Sequence, residues 1–294
     1  MNGLLVINKQ QGVTSHDVVN DIRHIFKTKQ VGHLGTLDPL ATGVLVICIG
    51  DATKLVQFLE NVNKEYECEV TLGIETNSYD ITGEVVKTEN ITSLNEKEID
   101  DALASFLGKS MQLPPIYSAI KKNGKKLYEY ARKNQDVEIS PREIEVSTIK
   151  RISDVIYSDN KAKFSFKVTV SKGTYIRSLC HDLGVKLNVP ATMSGLRRTR
   201  NGEFDLQNSF TIDEVRAGHF DLISMLDALR HYDMVENDEI VKKAMNGMKI
   251  SLLMIKEVLG KLPAKIIVCH KGELVAIYLR DDELHCYKAG RVWK

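Results

Sequence analysis

Six apolar residues in a row, Val44 to Ile49 (VLVICI), constrain this chain more than any other stretch. A short run without alternation reads as a strand buried on both faces. The segment just before it, Gly32 to Gly43, reads GHLGTLDPLATG and holds three glycines, one proline, one histidine and one acid, Asp38. Asp38 therefore lies in a glycine-rich loop directly ahead of a core strand. Glycine there permits positive φ and lets a ligand approach the backbone. Pro39 fixes the backbone just after the acid. A lone carboxylate in a stiff loop, with His33 five residues earlier, suggests a positioned catalytic acid, base or nucleophile. The alternative is a tight turn in which Asp38 caps its own backbone.

The 294 residues allow one large domain and a small one. With 43% hydrophobic and 27% charged residues the composition is that of an ordinary globular protein. No apolar run approaches the roughly 20 residues of a membrane helix. The start carries only four consecutive apolar residues, so a secretory signal is not expected and a cytoplasmic location is. The five cysteines (48, 68, 180, 269 and 286) are odd in number, widely spaced and free of C-x-x-C, which reads as reduced core thiols. The eight histidines show no ligand spacing, so no metal is expected. Net charge is only +1, but it is unevenly spread. Lys121 to Lys133 holds six basic residues and one acid; Glu75 to Asp101 holds eight acids and two lysines. Such asymmetry suits a polyanion on one face, or two solvated faces that balance.

Taken in order, Leu4–Ile7 reads as a buried strand and Asn8–Ser15 as a polar turn. Lys9 in that turn could meet a phosphate or carboxylate, or be a solvated surface lysine. Thr14, with Asp17 three residues on, caps a helix whose apolar face is Val18, Val19, Ile22, Ile25 and Phe26. A second helix carries Ala52, Leu55, Val56 and Leu59. Tyr66, Cys68, Val70 and Leu72 alternate with polar residues, the mark of a half-buried strand. Tyr66 is either a core tyrosine or an aromatic pocket wall with a polar tip. Thr76–Gly83 is a polar loop, and Ser93 with Glu96 forms a capping box for a third helix. Gln112 to Lys133 interleaves lysines and tyrosines around Gly124, either a loop-and-hairpin that grips a nucleic-acid backbone or an ordinary basic surface. Ala162–Val170 alternates strictly and turns through Ser171–Thr174 into a helix bearing Ile176, Leu179, Cys180 and Leu183. Tyr175 and Arg177 lie at that corner, and Arg177, off the apolar stripe, could clasp a carboxylate bidentately. Gly195–Phe204 adds three arginines near a glycine turn, with surface salt bridging the plain alternative. Thr211 with Glu214 starts another helix, 231–238 reads as a linker, and strands at Ile266–Cys269, Leu274–Leu279 and Leu284–Tyr287 make a β-rich module.

GHLGTLDPLATG, YSAIKKNGKKLYEYAR, KGTYIRSLCHDLG and LRRTRNGEF, in that order, resemble the motifs of the TruB family, bacterial tRNA pseudouridine-55 synthases. The resemblance covers about residues 1–230, and the tail is similar to a small PUA-type RNA-binding domain. It departs at Asn8 and Gln10, where the family usually reads Asp and Pro around the lysine, and at Thr192, where a histidine is common.

The resemblance implies an α+β fold: a catalytic domain over 1–230 with a central mixed, mainly antiparallel sheet, a tRNA-binding insertion at about 108–150, and a PUA-like domain over 238–294. It implies isomerisation of uridine 55 in the T-loop of tRNA by base flipping, without cofactor. Asp38 would assist glycosidic cleavage by attacking C1′ or C6, or by removing the C2′ proton. Arg177 would keep that carboxylate charged. Tyr66 would stack on the uracil and accept the C5 proton. Tyr175 and Leu196 would wall the pocket, His33 would fill the vacated space or stack on the T-loop, and Lys9, Lys121, Lys125 and Lys126 would hold RNA. The C-terminal module would contact the acceptor end. A monomer needing no protein partner and no membrane is expected. The alternatives are a non-catalytic tRNA-folding protein with the same grip, an N-glycosidase that would release free uracil, and a dyskerin-like RNA-guided synthase, which shares the catalytic loop but not the T-arm insertion that a stand-alone enzyme requires.

Overall fold

The computed structural model describes residues 1–133 and 135–293; Asn134 of the insertion and Lys294 at the end of the C-terminal module lie outside the described residues. The apolar run forms the strand Thr42–Ile49, and every side chain from Val44 to Ile49 is fully buried, as a strand covered on both faces requires.

The chain divides into two compact units. The larger comprises Val6–Ile47 and Val56–Phe220. Its sheet runs in the order Gly3–Lys9, Thr42–Ile49, Ala191–Asn201, Lys64–Leu72, Lys161–Val170, Arg142–Arg151, Gly108–Gln112. Thr42–Ile49 meets Ala191–Asn201 in parallel; from there to Gly108–Gln112 every neighbouring pair is antiparallel. The α+β class with a mixed, mainly antiparallel sheet is therefore what the chain adopts. The alternation expected along Ala162–Val170 is present without a break: Ala162, Phe164, Phe166, Val168 and Val170 point inward. In register, Val168 stands opposite Tyr66 and Phe166 opposite Cys68. The helix Ile176–Leu187 packs on this face through Cys180, whose sulfur lies 3.4 Å from that of Cys68. That approach ties the element carrying Arg177 to the strand carrying Tyr66.

The second unit gathers Met1–Leu5, Cys48–Leu55 and residues 221–293. Its five-stranded sheet runs Asp233–Val235, Lys265–His270, Glu273–Asp281, Cys286–Val292, Ile250–Ser251, over a core that includes Ile240, Ile255, Val268 and Tyr278. The β-rich character expected for the tail is observed.

Several local expectations need correction. The second helix is a 3₁₀ stretch, Gly50–Leu55, running into one α turn, Val56–Leu59. The third helix, Glu96–Ala104, is capped by Asn95 rather than Ser93: its side chain accepts from the Lys97 amide at 3.0 Å. Asn95 has the same capping chemistry as Ser93 and stands next to the first helical residue. The segment expected to be a linker contributes the strand Asp233–Val235, and the last strand is Cys286–Val292, not Leu284–Tyr287. The glycine turn expected in Gly195–Phe204 lies at Gly202, φ +61°, where the strand Ala191–Asn201 turns back into Phe204–Asp205; Arg200 makes a surface salt bridge to Glu65 at 3.3 Å, but Arg198 is fully buried.

Candidate active site

The Asp38 loop is fastened from three directions. Ser15, at the start of the first helix, accepts from the Leu37 amide at 2.8 Å and donates to the Leu37 carbonyl at 3.0 Å. The Pro39 carbonyl takes the Gly12 amide at 2.8 Å. From the strand Ala191–Asn201, Arg198 donates to the carbonyls of Val44 at 2.7 Å, Gly35 at 2.9 Å and Thr36 at 3.4 Å, and Asn201 donates to Leu34 at 3.0 Å. Gly43 makes the close approach possible: at φ +97° a Cβ would fall 2.2 Å from the Arg198 carbonyl oxygen.

The turn itself closes by backbone, Ala41 amide to Asp38 carbonyl at 3.0 Å. The Asp38 carboxylate is thereby left to the cavity, where Oδ2 lies 3.1 Å from Arg177 Nε. Arg177 is buried, contrary to its expected place off the packed face, and its fork is fully engaged. Nη1 meets Asp80 Oδ2 at 3.3 Å and the Ser78 carbonyl at 3.3 Å; Nη2 donates to the Tyr117 carbonyl at 3.0 Å. A guanidinium held by two carboxylates and two carbonyls has one orientation, which fixes the carboxylate in front of it. The insertion is fastened to the same corner: Gln112 accepts from the Tyr175 amide at 2.8 Å and donates to the Tyr175 carbonyl at 3.0 Å.

A cavity of about 520 Å³ opens over this group. His33, Asp38, Tyr66, Tyr175, Arg177 and Leu196, all singled out from the sequence, line it together. Tyr66 is 7% exposed, and Arg198 stands opposite it in the sheet register. Burial raises the Tyr175 hydroxyl above its ordinary pKa and lowers that of His33, whose Nδ1 is buried without a hydrogen-bond partner among the described residues.

Four of the expected RNA-holding residues are not brought to the cavity. Lys9 ends the first strand and is 1% exposed, not solvated. Its ammonium donates to the carbonyls of Val13 at 2.7 Å and Gln10 at 3.0 Å, and burial pulls its pKa down to about 8 against the opposing pull of Asp38. Lys121, Lys125 and Lys126 lie on the hairpin Lys121–Lys122 with Lys125–Lys126, while Tyr117, Ser118 and Tyr128 of the same insertion do reach the cavity.

Sequence reasoning misses Asp80, Arg198 and Lys64. Asp80 sits in a loop whose composition says only that it is polar. Arg198 is one of three arginines in a strand whose burial does not alternate and whose register shifts at Met193/Gly195 and Arg198/Arg200, so no local pattern marks it as the inward one. Lys64 opens the Tyr66 strand and lines the cavity.

The model of the TruB family pseudouridylate synthase N-terminal domain matches residues 23–176, and that of the tRNA pseudouridylate synthase B C-terminal domain matches 177–231. The tRNA pseudouridine synthase B of Oceanobacillus iheyensis is 41% identical over 286 residues, covering 95% of this chain and 92% of the relative. That of Streptococcus sanguinis is 41% identical and covers both chains completely. Among solved structures, a crystal structure of a Cbf5-Nop10-Gar1 complex superimposes with a TM-score of 0.72 at 26% identity, over 99% of this chain and 84% of that one. By model, by identity and by coverage, the chain belongs to the TruB family of pseudouridylate synthases.

Proposed function

We propose that this protein isomerises uridine to pseudouridine at position 55 in the T-loop of tRNA, using Asp38 and no cofactor. The observation that carries the reading is the Asp38–Arg177 pair, 3.1 Å apart in a cavity walled by Tyr66, Tyr175 and Leu196, in a chain of this family. A volume of about 520 Å³ suits one flipped nucleotide.

In this reading the base leaves the T-loop stack at a cost of a few kcal/mol and enters the cavity. Asp38 assists cleavage of the N1–C1′ bond by attack at C1′ or C6, or by removing the C2′ proton. The freed uracil stays stacked on Tyr66, turns over, and bonds to C1′ through C5; Tyr66 then accepts the C5 proton. Nothing is gained or lost overall, so the chemistry asks for no redox group. His33 fills the space the base vacates. The basic hairpin holds the T-arm, and the β-rich C-terminal module, PUA-like by resemblance, contacts the acceptor end. RNA loops are read by shape and splayed bases, so a focused patch of lysines suffices despite the small net charge.

A T-arm transcript tritiated at uridine C5 tests this. Wild type should release tritium without added metal or cofactor, and Asp38→Asn should abolish release. Undiminished release by Asp38→Asn would sink the catalytic assignment. A non-catalytic tRNA-folding protein, which the hairpin alone would also support, would release none in either form, and an N-glycosidase would liberate uracil.

A further inference from the structure

The cavity is electrically lopsided. Arg177 stands between two carboxylates, Asp38 and Asp80. Lys64, Lys172 and Arg198 also line the cavity, and there Glu60 is the carboxylate that acts on Lys64 and pairs with Lys172. Glu60 is already engaged, with Oε2 at 2.8 Å from Lys172 Nζ. Arg198 is fully buried and gives its donors to the Val44, Gly35 and Thr36 carbonyls, which solvate its charge without neutralising it. Lys64 reaches the Val62 carbonyl at 3.5 Å, the one hydrogen bond its ammonium makes among the described residues. Burial pulls its pKa down to about 8, with Arg198 and Lys172 pushing the same way and Glu60 opposing. The loop above yields to these cations. At Gly35, φ +71°, a Cβ would stand 3.2 Å from Lys64 Cε and 3.4 Å from Arg198 Nη1.

Partly buried cations without a matching carboxylate are costly unless an anion supplies the counter-charge. The cavity therefore offers a carboxylate already met by Arg177, suited to a neutral base, and at Lys64 a group of cations suited to a negative charge. A nucleotide within a strand has that same polarity: an uncharged uracil flanked by phosphodiesters.

We propose that Lys64 and Lys172 hold a backbone phosphodiester next to the flipped nucleotide, over the fixed field of Arg198. The proposal rests on the reading that the cavity receives a flipped uridine. The phosphate takes the ammonium of Lys64 outright and competes with Glu60 for that of Lys172. The cavity then selects a nucleotide embedded in a strand, since free uridine would leave Lys64 without its anion.

A chemical double-mutant cycle tests this. T-arm stem-loops carrying one neutral methylphosphonate, either 5′ or 3′ of the target uridine, are compared with the natural strand. Each is tested with wild type, Lys64→Met, Lys64→Arg and Lys172→Met under single-turnover conditions. On the natural strand Lys64→Met should lose on the order of tenfold in kcat/KM, the size of one charge-assisted hydrogen bond, and Lys64→Arg should recover most of it. On one of the two neutral strands wild type should fall by the same factor, and Lys64→Met should lose nothing more. Losses that multiply on both strands, or a natural strand indifferent to Lys64→Met, would overturn the proposal. Lys172 is an exposed side chain whose replacement leaves the core untouched, so Lys172→Met repeats the cycle without risk to the fold; it should lose a smaller factor on that same strand. Failure of the broader reading looks different: wild type would convert none of the natural strand.

Discussion

Arg177 is buried, while the Asp38 side chain it holds keeps 42% of its surface open to the cavity. The burden of positioning thus falls on the arginine, and its removal has a specific signature. Arg177→Met leaves Asp38 and Asp80 with no cation between them and the Tyr117 carbonyl without its donor. We expect kcat to fall by on the order of a hundredfold or more, because a preorganised charge is removed, while the Kd for tRNA changes by about threefold or less. Equal losses in both, measured by single-turnover kinetics and filter binding, would make Arg177 a phosphate-binding residue instead. Lys9 calls for a stability measurement. Its pKa is about 8 in the folded chain against 10.5 when free. Between those values the unfolded chain binds the extra proton, so Lys9 adds stability as pH rises from about 8 to 10.5, and withholds it below 8. Relative to Lys9→Met, wild type should gain about 3 kcal/mol across that window in urea titrations. A flat difference would show the ammonium to be as well solvated by the Gln10 and Val13 carbonyls as by water.

At the scale of elements, the basic hairpin turns through Asn123 and Gly124, both at positive φ, the Asn-Gly pair that a two-residue hairpin favours. Lys126 lies over the Tyr128 ring at 5.4 Å and Lys125 near the Tyr130 ring at 5.9 Å, so the aromatic residues support the lysines from below. Reversing charge at both, Lys125→Glu with Lys126→Glu, should weaken tRNA binding at least tenfold. The slope of log K against log salt should fall by about 0.7 for each phosphate that the hairpin no longer neutralises. An unchanged slope would remove this hairpin from the RNA interface. Elements with an unbroken apolar period, such as Lys161–Val170 and Ile176–Leu187, are legible in the sequence. Less so are those where local rules offer two equal answers. Ser93 and Asn95 are both good caps, and only the helix's actual first turn chooses between them. Sequence alone places Arg198 at the surface because an arginine's default is solvent. It is buried because its strand passes beside the carbonyls of Gly35, Thr36 and Val44, which take its donors.

For the whole molecule, the unit that holds residues 221–293 also takes in Met1–Leu5 and Cys48–Leu55, segments far away in the chain. Leu4 and Ile223 exchange backbone hydrogen bonds, and Trp293 Nε1 donates to the Asp51 carbonyl at 3.4 Å. The proposed catalytic domain, 1–230, is therefore expected to fold alone with less stability than the full chain. A fragment ending at residue 230 lacks the hydrogen bond to Asp51 and the whole five-stranded sheet, and its Tm should fall by about 5 °C or more in a thermal scan. An unchanged Tm would make the tail an appendage without structural consequence for the rest.

By itself the sequence determined the periods and the punctuation: which stretches alternate, where glycine and proline stiffen a loop, and in what order the four motifs run. Those are local properties, set by geometry within a few residues; the motifs among them carried the resemblance to the family, through it the expected α+β class, and with it the choice of Asp38 as candidate. The neighbours of each charge were decided only in three dimensions. That Asp80 shares Arg177 with Asp38, that Arg198 lies under the loop, and that Lys64 lines the cavity beside Lys172 and Arg198 all depend on strands distant in the chain lying side by side. Electrostatic energy falls off with distance through space, and spacing along the chain carries almost no record of that distance.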